Sequence, residues 1–391
     1  KKQMEKLGIP VCILNNTNTT KQKEKTDILE GNNKIIYITP EYMQHCGSFL
    51  IDLANEDNLA LVCIDESHCC STYSDFRPSY AKLNIIKEWL PDIPLLALTA
   101  TASQKVRTDI CNILQLQNPE FVIGSFDRPN LMLNIKRKTD VKRDLLPIID
   151  KYLGEYVIIY CKTKKDTEDV ANTLTEYGYP TLMYHGGLSN NIRSETQDKY
   201  INGEYKIISA TIAYGLGINI PNVRLVIHYG CPKNIEGYYQ EIGRAGRDGL
   251  PSECHLFFSP KDFSLSRFFV SGIDDKKQKK YQEEQIVIIQ KYVNSNECRR
   301  IVLLQSFDPN YDTPICNNCD NCLNGTVIEK LDYTYPTYLV ISMVNSLGGK
   351  CGATFIVNAL RGSKAKNMNY VKTNSLYGTA NKYSDKSMKA L

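Results

Sequence analysis

Three groups of residues in this 391-residue chain have the types and spacing that chemistry needs. The first is a carboxylate pair. The apolar run Leu-Ala-Leu-Val-Cys-Ile ends in Asp65-Glu66-Ser67-His68, placing two acids at the carboxyl end of a buried strand, where ligands sit in an open α/β sheet. An aspartate there can hold Mg²⁺, and the adjacent glutamate can orient or deprotonate an attacking water. Further on, residues 95–98 run into Thr99-Ala100-Thr101-Ala102, small hydroxyl residues at a second strand end. The second group lies in Tyr238-Tyr239-Gln240-Glu241-Ile242-Gly243-Arg244-Ala245-Gly246-Arg247-Asp248-Gly249. Arg244 and Arg247, three apart, share one helical face, with small residues between them so that a ligand can approach closely. A guanidinium stays charged and forks onto phosphate oxygens. The third group is Cys298 followed by Cys316-x-x-Cys319-x-x-Cys322. Three thiolates on one knuckle and a fourth from a preceding helix make a closed tetrahedral site, structural for Zn²⁺. An iron–sulfur cluster is the alternative that four cysteines also suit.

These groups need a frame. Short apolar runs at 35–38, 59–64, 95–98, 157–160, 182–184, 206–209, 224–227 and 255–258 read as strands buried on both faces. Helical stretches alternate with them. Around 166–177, Val170, Leu174 and Tyr177 make one face, Thr163-x-x-Asp166 resembles a capping box, and Gly178 fits the stop. The expected fold class is α/β with parallel sheets, with a lobe boundary around 124–142. After about Pro260 the strand rhythm ends and the chain turns helical and charged, the lysine run at 276–280 reading as a solvated helix face. Gly348-Gly349-Lys350-Cys351-Gly352 reads as a turn, and cysteines such as Cys63 and Cys161 read as small core hydrophobes.

Composition bounds the class. With 42% hydrophobic and 23% charged residues the chain is neither a disordered tail nor a coiled coil. The longest apolar stretch, 59–64, falls far short of the ~20 residues that span a bilayer, and no secretory signal opens the sequence. Fourteen cysteines then argue for a reducing compartment, hence for thiols and metal, and for a soluble intracellular protein. The net charge of +4 is unevenly spread: residues 328–391 carry nine Lys+Arg and three Asp+Glu, a net of +6, and the remainder carries −2. A basic module on a near-neutral body suggests a polyanion partner, a solvated lysine-rich surface being the competing reading.

The sequence resembles the RecQ family of superfamily 2 DNA helicases. The matching stretches are Thr39-Pro40-Glu41, Asp65-Glu66-Ser67-His68, Asp75-Phe76-Arg77-Pro78, Leu98-Thr99-Ala100-Thr101-Ala102, Ser125-Phe126-Asp127-Arg128-Pro129-Asn130-Leu131 and Ile158-Ile159-Tyr160-Cys161. In the second half they are Ala210-Thr211-Ile212-Ala213-Tyr214-Gly215-Leu216-Gly217-Ile218-Asn219, the Gln240–Arg247 stretch, the cysteine set and Ala359-Leu360-Arg361-Gly362-Ser363-Lys364. The resemblance implies two RecA-like lobes, a helical zinc-binding subdomain and a partial winged helix, at 1–124, 125–260, 261–327 and 328–391. It implies an ATP-dependent 3′-5′ DNA helicase, with ATP and Mg²⁺ held between the lobes by Asp65, Glu66, Gly217, Arg244 and Arg247. His68 and Gln240 join the catalytic set, Gln240 beside the water and Arg247 as the finger on the γ-phosphate. Zn²⁺ falls to Cys298, Cys316, Cys319 and Cys322. DNA, single-stranded and at duplex junctions, falls to Tyr73, Phe76, Arg77, Thr99, Thr101, Lys162, His185 and Thr211. No membrane partner is expected, and the location is the nucleus in a eukaryote and the cytoplasm otherwise.

The sequence also departs from the family. Thr72-Tyr73-Ser74-Asp75 replaces a Trp-Gly-His segment in a loop that couples DNA contact to ATP turnover, Lys164 replaces an arginine, and Asn219 an aspartate. No Gly-x-x-x-x-Gly-Lys-Ser/Thr occurs in the sequence. The expectation is a fragment cut after the phosphate loop at one end and before the β-wing at the other. Two other classes of function compete: a non-catalytic DNA-binding module, and an RNA remodeller using the same engine.

Overall fold

Ten short strands, counted among the described residues, form parallel sheets in a computed structural model that describes residues 2–16, 21–71, 77–100, 103–215, 219–312, 315–325, 332–384 and 388. The chain divides into two compact units, Lys1–Thr326 and Val327–Leu391.

The first unit opens with β1 (Val11–Leu14) beside β2 (Ile35–Ile38), and β3 (Val62–Ile64) beside β4 (Leu95–Ala97). Leu14, Ile64, Phe49, Leu53, Ile86 and Ile110 close the core of this lobe. Cys63 and Leu96 are register partners and both face outward, because successive side chains on a strand alternate between faces. Cys63 is therefore exposed, contrary to its expected place in the core; Cys161 is buried as expected.

The second lobe is one six-stranded parallel sheet. Its strands are β5 (Leu131–Arg137), β6 (Tyr156–Cys161), β7 (Thr181–Tyr184), β8 (Ile207–Ala210), β9 (Val223–Tyr229) and β10 (Ser252–Phe258), in the order β5-β10-β9-β6-β8-β7. Every residue of β6 and β8 is buried, since helices cover both faces of such a sheet. The alternation divides the core in two. Ile158, Ile208, Val226 and Leu256 point to one side with Tyr238 and Tyr292, and Val157, Ile159, Leu225 and Ile227 to the other with Leu145, Val170 and Leu174.

The helix Lys164–Glu176 begins where its cap signals place it. Thr163 Oγ1 accepts from the Asp166 amide at 3.0 Å and donates to the Asp166 carboxylate at 2.7 Å, and Gly178 takes a φ of +89° just past the end. Pro260 likewise opens the helix Pro260–Ser271, with Ser259 and Asp262 as its capping box. The runs expected at 59–64 and 95–98 shorten to β3 and β4. Strands β1 and β5 went unexpected: β1 is four residues long, and β5, Leu-Met-Leu-Asn-Ile-Lys-Arg, is an edge strand whose polar residues hide its alternation.

The second unit packs the helices Thr334–Ser346 and Ala353–Leu360 and a 3₁₀ turn at Lys366–Val371 around Leu339, Met343, Ile356, Leu360 and Met368. Gly348 and Gly349, at φ of +62° and +70°, make the turn between the helices. Among the described residues no helix is long and apolar enough to cross a membrane.

Candidate active site and metal centre

The acidic box lies where β3 ends. Asp65 is exposed and accepts from the Glu66 amide at 2.9 Å. Glu66 has a φ of +50° and a ψ of +40°, a left-handed conformation that a glutamate adopts only when its surroundings enforce it. The enforcement comes from the residue that follows β4: Ser67 donates both its amide and its hydroxyl to the Leu98 carbonyl, each at 2.9 Å, and the Leu98 amide donates to the Ile64 carbonyl at 2.8 Å. His68 is buried, with Nδ1 at 2.9 Å from Thr99 Oγ1 and 3.3 Å from Glu66 Oε2. The two boxes at successive strand ends thus meet through one imidazole.

Across the cleft the helix Ile235–Ile242 carries Gln240, its first turn capped by Asn234 Oδ1 accepting from Gly237 at 2.8 Å. Contrary to the expectation of one helical face, Arg244 and Arg247 lie beyond the helix end. The amides of Arg244 and Ala245 bond back three residues, to Glu241 and Ile242, and Gly246 leaves the helix with a φ of +52°, its amide donating to Val223 at 2.9 Å. The pair therefore sits on consecutive tight turns. Glu66, Gln240, Arg128, Arg244, Arg247 and Arg300 line one cavity of about 250 Å³.

The arginines make this cavity a place for anions. Arg244 Nε is buried without a hydrogen-bond partner among the described residues, and its guanidinium lies against Gly215, where a Cβ would come within 3.0 Å of Nη2. Arg247 donates to Asn219 Oδ1 at 3.1 Å. Burial, and then the neighbouring charges of Arg244 and Arg128, hold its pKa below the usual arginine value. Crowded cations with an unsatisfied buried donor fit the oxygens of a phosphate chain. The open carboxylate of Asp65 at a strand end is the oxygen ligand that Mg²⁺ takes.

The four sulfurs of Cys298, Cys316, Cys319 and Cys322 lie within 4.8 Å of one another, Cys316 and Cys322 at 3.8 Å. A zinc–sulfur length of about 2.3 Å makes a tetrahedron edge of about 3.8 Å, so the donor set fits Zn²⁺. Burial opposes ionisation of Cys298, but hydrogen bonds from the amides of Ile301 and Cys316 and from the neighbouring thiols bring it down to about 7. Burial raises Cys316 and Cys322, which adjoining thiols raise further, Cys322 to about 12. Cys298 thus forms its thiolate readily, whereas Cys316 and Cys322 need a cation to do so.

The remaining expected site residues scatter. Arg77 is exposed, its amide donating to Cys69 at 3.0 Å, and Thr211 lies at the end of β8, its amide donating to Tyr184. His185 is buried, 3.1 Å from Glu168. Lys162 turns inward and gives its ammonium to the Cys231 and Asp262 carbonyls and the Ser266 hydroxyl, so a phosphate would have to displace these partners. Burial lowers its pKa. Tyr73, Phe76, Thr101 and Gly217 lie outside the described residues. Sequence reasoning did not single out Arg128 or Arg300 as cavity residues. Arg128 stood within a recognised stretch, and Arg300 beside Cys298, with no local signal of where either side chain goes.

Four family models match in order: DEAD/DEAH box helicase at 1–109, helicase conserved C-terminal domain at 138–249, RecQ zinc-binding at 260–323 and RQC domain at 327–391. A protein of Acanthamoeba polyphaga mimivirus that carries the name of an ATP-dependent RNA helicase is 42% identical over 392 residues, covering 97% of this chain and 71% of its own. ATP-dependent DNA helicase RecQ of Haemophilus influenzae is 35% identical over 92% of this chain and 58% of its own. The bifunctional 3′-5′ exonuclease/ATP-dependent helicase WRN of Mus musculus is 35% identical over 94% of this chain and 28% of its own. The chain thus spans little more than half the bacterial relative and just over a quarter of WRN. A variant of S. cerevisiae Dbp5 bound to RNA and ADP BeF3 superposes with a TM-score of 0.50 at 20% identity, over 73% of this chain and 68% of that one, a likeness of fold.

Proposed function

Because the chain belongs to the RecQ family of superfamily 2 helicases, we propose that the protein is an ATP-dependent 3′-5′ DNA helicase that hydrolyses ATP in the cleft between Glu66 and the arginines. The observation that carries this reading is the convergence of Glu66, Gln240, Arg244 and Arg247 on one cavity from two lobes. Magnesium would neutralise charge on the phosphates and would be held by Asp65. Glu66 orients the water with Gln240 beside it, and His68 ties the acidic box to Thr99, so that a strand bound at that threonine is felt at Glu66. Gly217 would take part in holding the nucleotide. Arg244 binds the phosphate chain and Arg247 acts as the finger, which requires closure of the lobes and so couples turnover to movement along DNA. The four cysteines hold a structural zinc. The reading divides the chain at 1–124, 125–260, 261–327 and 328–391, places the strand against Tyr73, Phe76, Arg77, Thr99, Thr101, Lys162, His185 and Thr211, with single strands and junctions as substrates, and puts the protein inside the cell.

A second reading, an RNA remodeller, is favoured by the name of the mimivirus relative. The zinc-binding and RQC matches favour DNA. In the protein as its gene encodes it, single-stranded DNA should stimulate ATP turnover, and Arg247→Ala should lower turnover roughly 10³-fold or more while DNA binding persists. Stimulation by RNA alone would overturn the choice of substrate, and full activity of Arg247→Ala the choice of site.

A further inference from the structure

We infer that Arg128 is a positioning residue for the arginine pair, gripping the turn that carries Arg244 and Arg247 by its carbonyl oxygens and tying that turn to the metal knuckle. The inference rests on the reading of those two arginines as phosphate ligands. The turn after the helix Ile235–Ile242 has lost the regular ladder, so its carbonyls need partners from elsewhere. Arg128 Nη2 supplies them, donating to Ala245 at 3.0 Å and to Gly246 at 2.8 Å. Asn130 Nδ2 adds bonds to Gly246 and Leu250, each at 3.0 Å. The grip leaves no slack: a Cβ on Gly246 would stand 2.5 Å from Asn130 Nδ2 and 2.8 Å from the Leu250 carbonyl. Four guanidiniums line this cavity and repel one another, and the carbonyl dipoles under Arg128 hold it among its like charges while its bonds fix the turn.

The far side of the same segment is held from the metal centre. Arg300, two residues after Cys298 and buried, donates to the Asp127 carboxylate and the Arg128 carbonyl, both at 2.7 Å, and to the Leu131 carbonyl at 2.5 Å. Asn318, between Cys316 and Cys319, donates to the Pro129 carbonyl at 2.9 Å. Residues 127–131 are therefore a strut with the knuckle on one side and the arginine turn on the other.

The first measurement needs no nucleotide. Amide hydrogen exchange of the 391-residue chain is followed over 243–250 and, as an internal reference, over 253–258. Arg128→Ala should speed exchange over 243–250 at least tenfold and leave 253–258 unchanged. Arg128→Gln, which keeps one amide donor for one carbonyl, should fall between, and it serves if the alanine variant does not fold. The second measurement uses the protein as its gene encodes it. Arg128→Ala should lower kcat at least tenfold, with KM for ATP and Kd for single-stranded DNA within threefold, and combining it with Arg247→Ala should be no slower than Arg247→Ala alone. Unchanged exchange over 243–250 in both variants overturns the inference, as does a double variant whose losses multiply. A wild-type protein without DNA-stimulated turnover would instead overturn the functional reading, and the exchange result would still decide whether Arg128 holds the turn.

Discussion

Removing the metal should unzip one edge of the second lobe's sheet, by an amount that follows from its hydrogen bonds. Strand β5 is the edge strand, and its outward groups are covered by the knuckle: Leu133 donates to the Asn318 carbonyl at 3.3 Å, and Ile135 to the Asp320 carboxylate at 3.1 Å. The knuckle has little else to hold its shape. Its only helix among the described residues, Asp320–Leu323, is four residues long, far below the length at which a helix persists alone. A structural zinc contributes on the order of 10 kcal/mol to folding such a module. Cys319→Ser, or a chelator, should release zinc at about one per chain and let the knuckle detach. Two edge amides are then left without partners, each bond worth about 1 kcal/mol, so the protection of each should fall by about 1 kcal/mol, roughly fivefold in exchange rate. The bare edge should also promote association, since unpaired strand edges template pairing with other chains. The assay is residue-resolved amide exchange with the metal content measured on the same sample. Unchanged protection at Leu133 and Ile135 after proven loss of zinc would refute the argument, and iron in place of zinc would refute the assignment of the metal.

Arg299 and Asp320 form a buried pair with bonds of 2.9 and 3.2 Å; Arg299→Ala strands the carboxylate and should cost about 3–5 kcal/mol in urea denaturation, most of it recovered in Arg299→Met/Asp320→Leu. Lys364, Lys366 and Lys372 are exposed in the basic second unit. Changing all three to glutamine should flatten the salt dependence of duplex binding by about 0.9 log unit per log unit of salt for each phosphate no longer neutralised; an unchanged slope would mean that other side chains neutralise the duplex. The Glu253 carboxyl is held below its ordinary value of 4.5, first by the hydrogen bond from His255, against an opposing effect of burial. A lowered folded pKa gives stability that is fully present above the unfolded value and lost as pH falls through the folded one. Wild type should therefore lose more stability than Glu253→Gln between pH 5 and the acid limit, as read by thermal melts, and parallel curves would contradict it.

Sequence alone determined the features whose causes are local. The apolar runs end within two residues of the strands they announce, Thr163 and Gly178 mark a helix that starts and stops beside them, and the cysteine spacing predicts one cluster that the fold brings within 4.8 Å. A strand's alternation, a cap or a two-residue gap between ligands is decided within a few residues of itself. Even so, local logic overreached at the arginines, because a helical spacing continues on paper past Ile242, whereas the chain tightens at Arg244 and Ala245 and the Gly246 amide turns away to the Val223 carbonyl. Packing gives the Lys162 ammonium three acceptors that no spacing announces, from the turn after β9 and from the helix that follows β10. Tertiary structure alone decided that His68 meets Thr99, that Arg128 reaches the carbonyls of Ala245 and Gly246, and that Arg300 reaches Asp127. Those partners lie far apart in sequence, and their meeting depends on the strand order and on which edge strand the knuckle covers, which no spacing within a single element encodes.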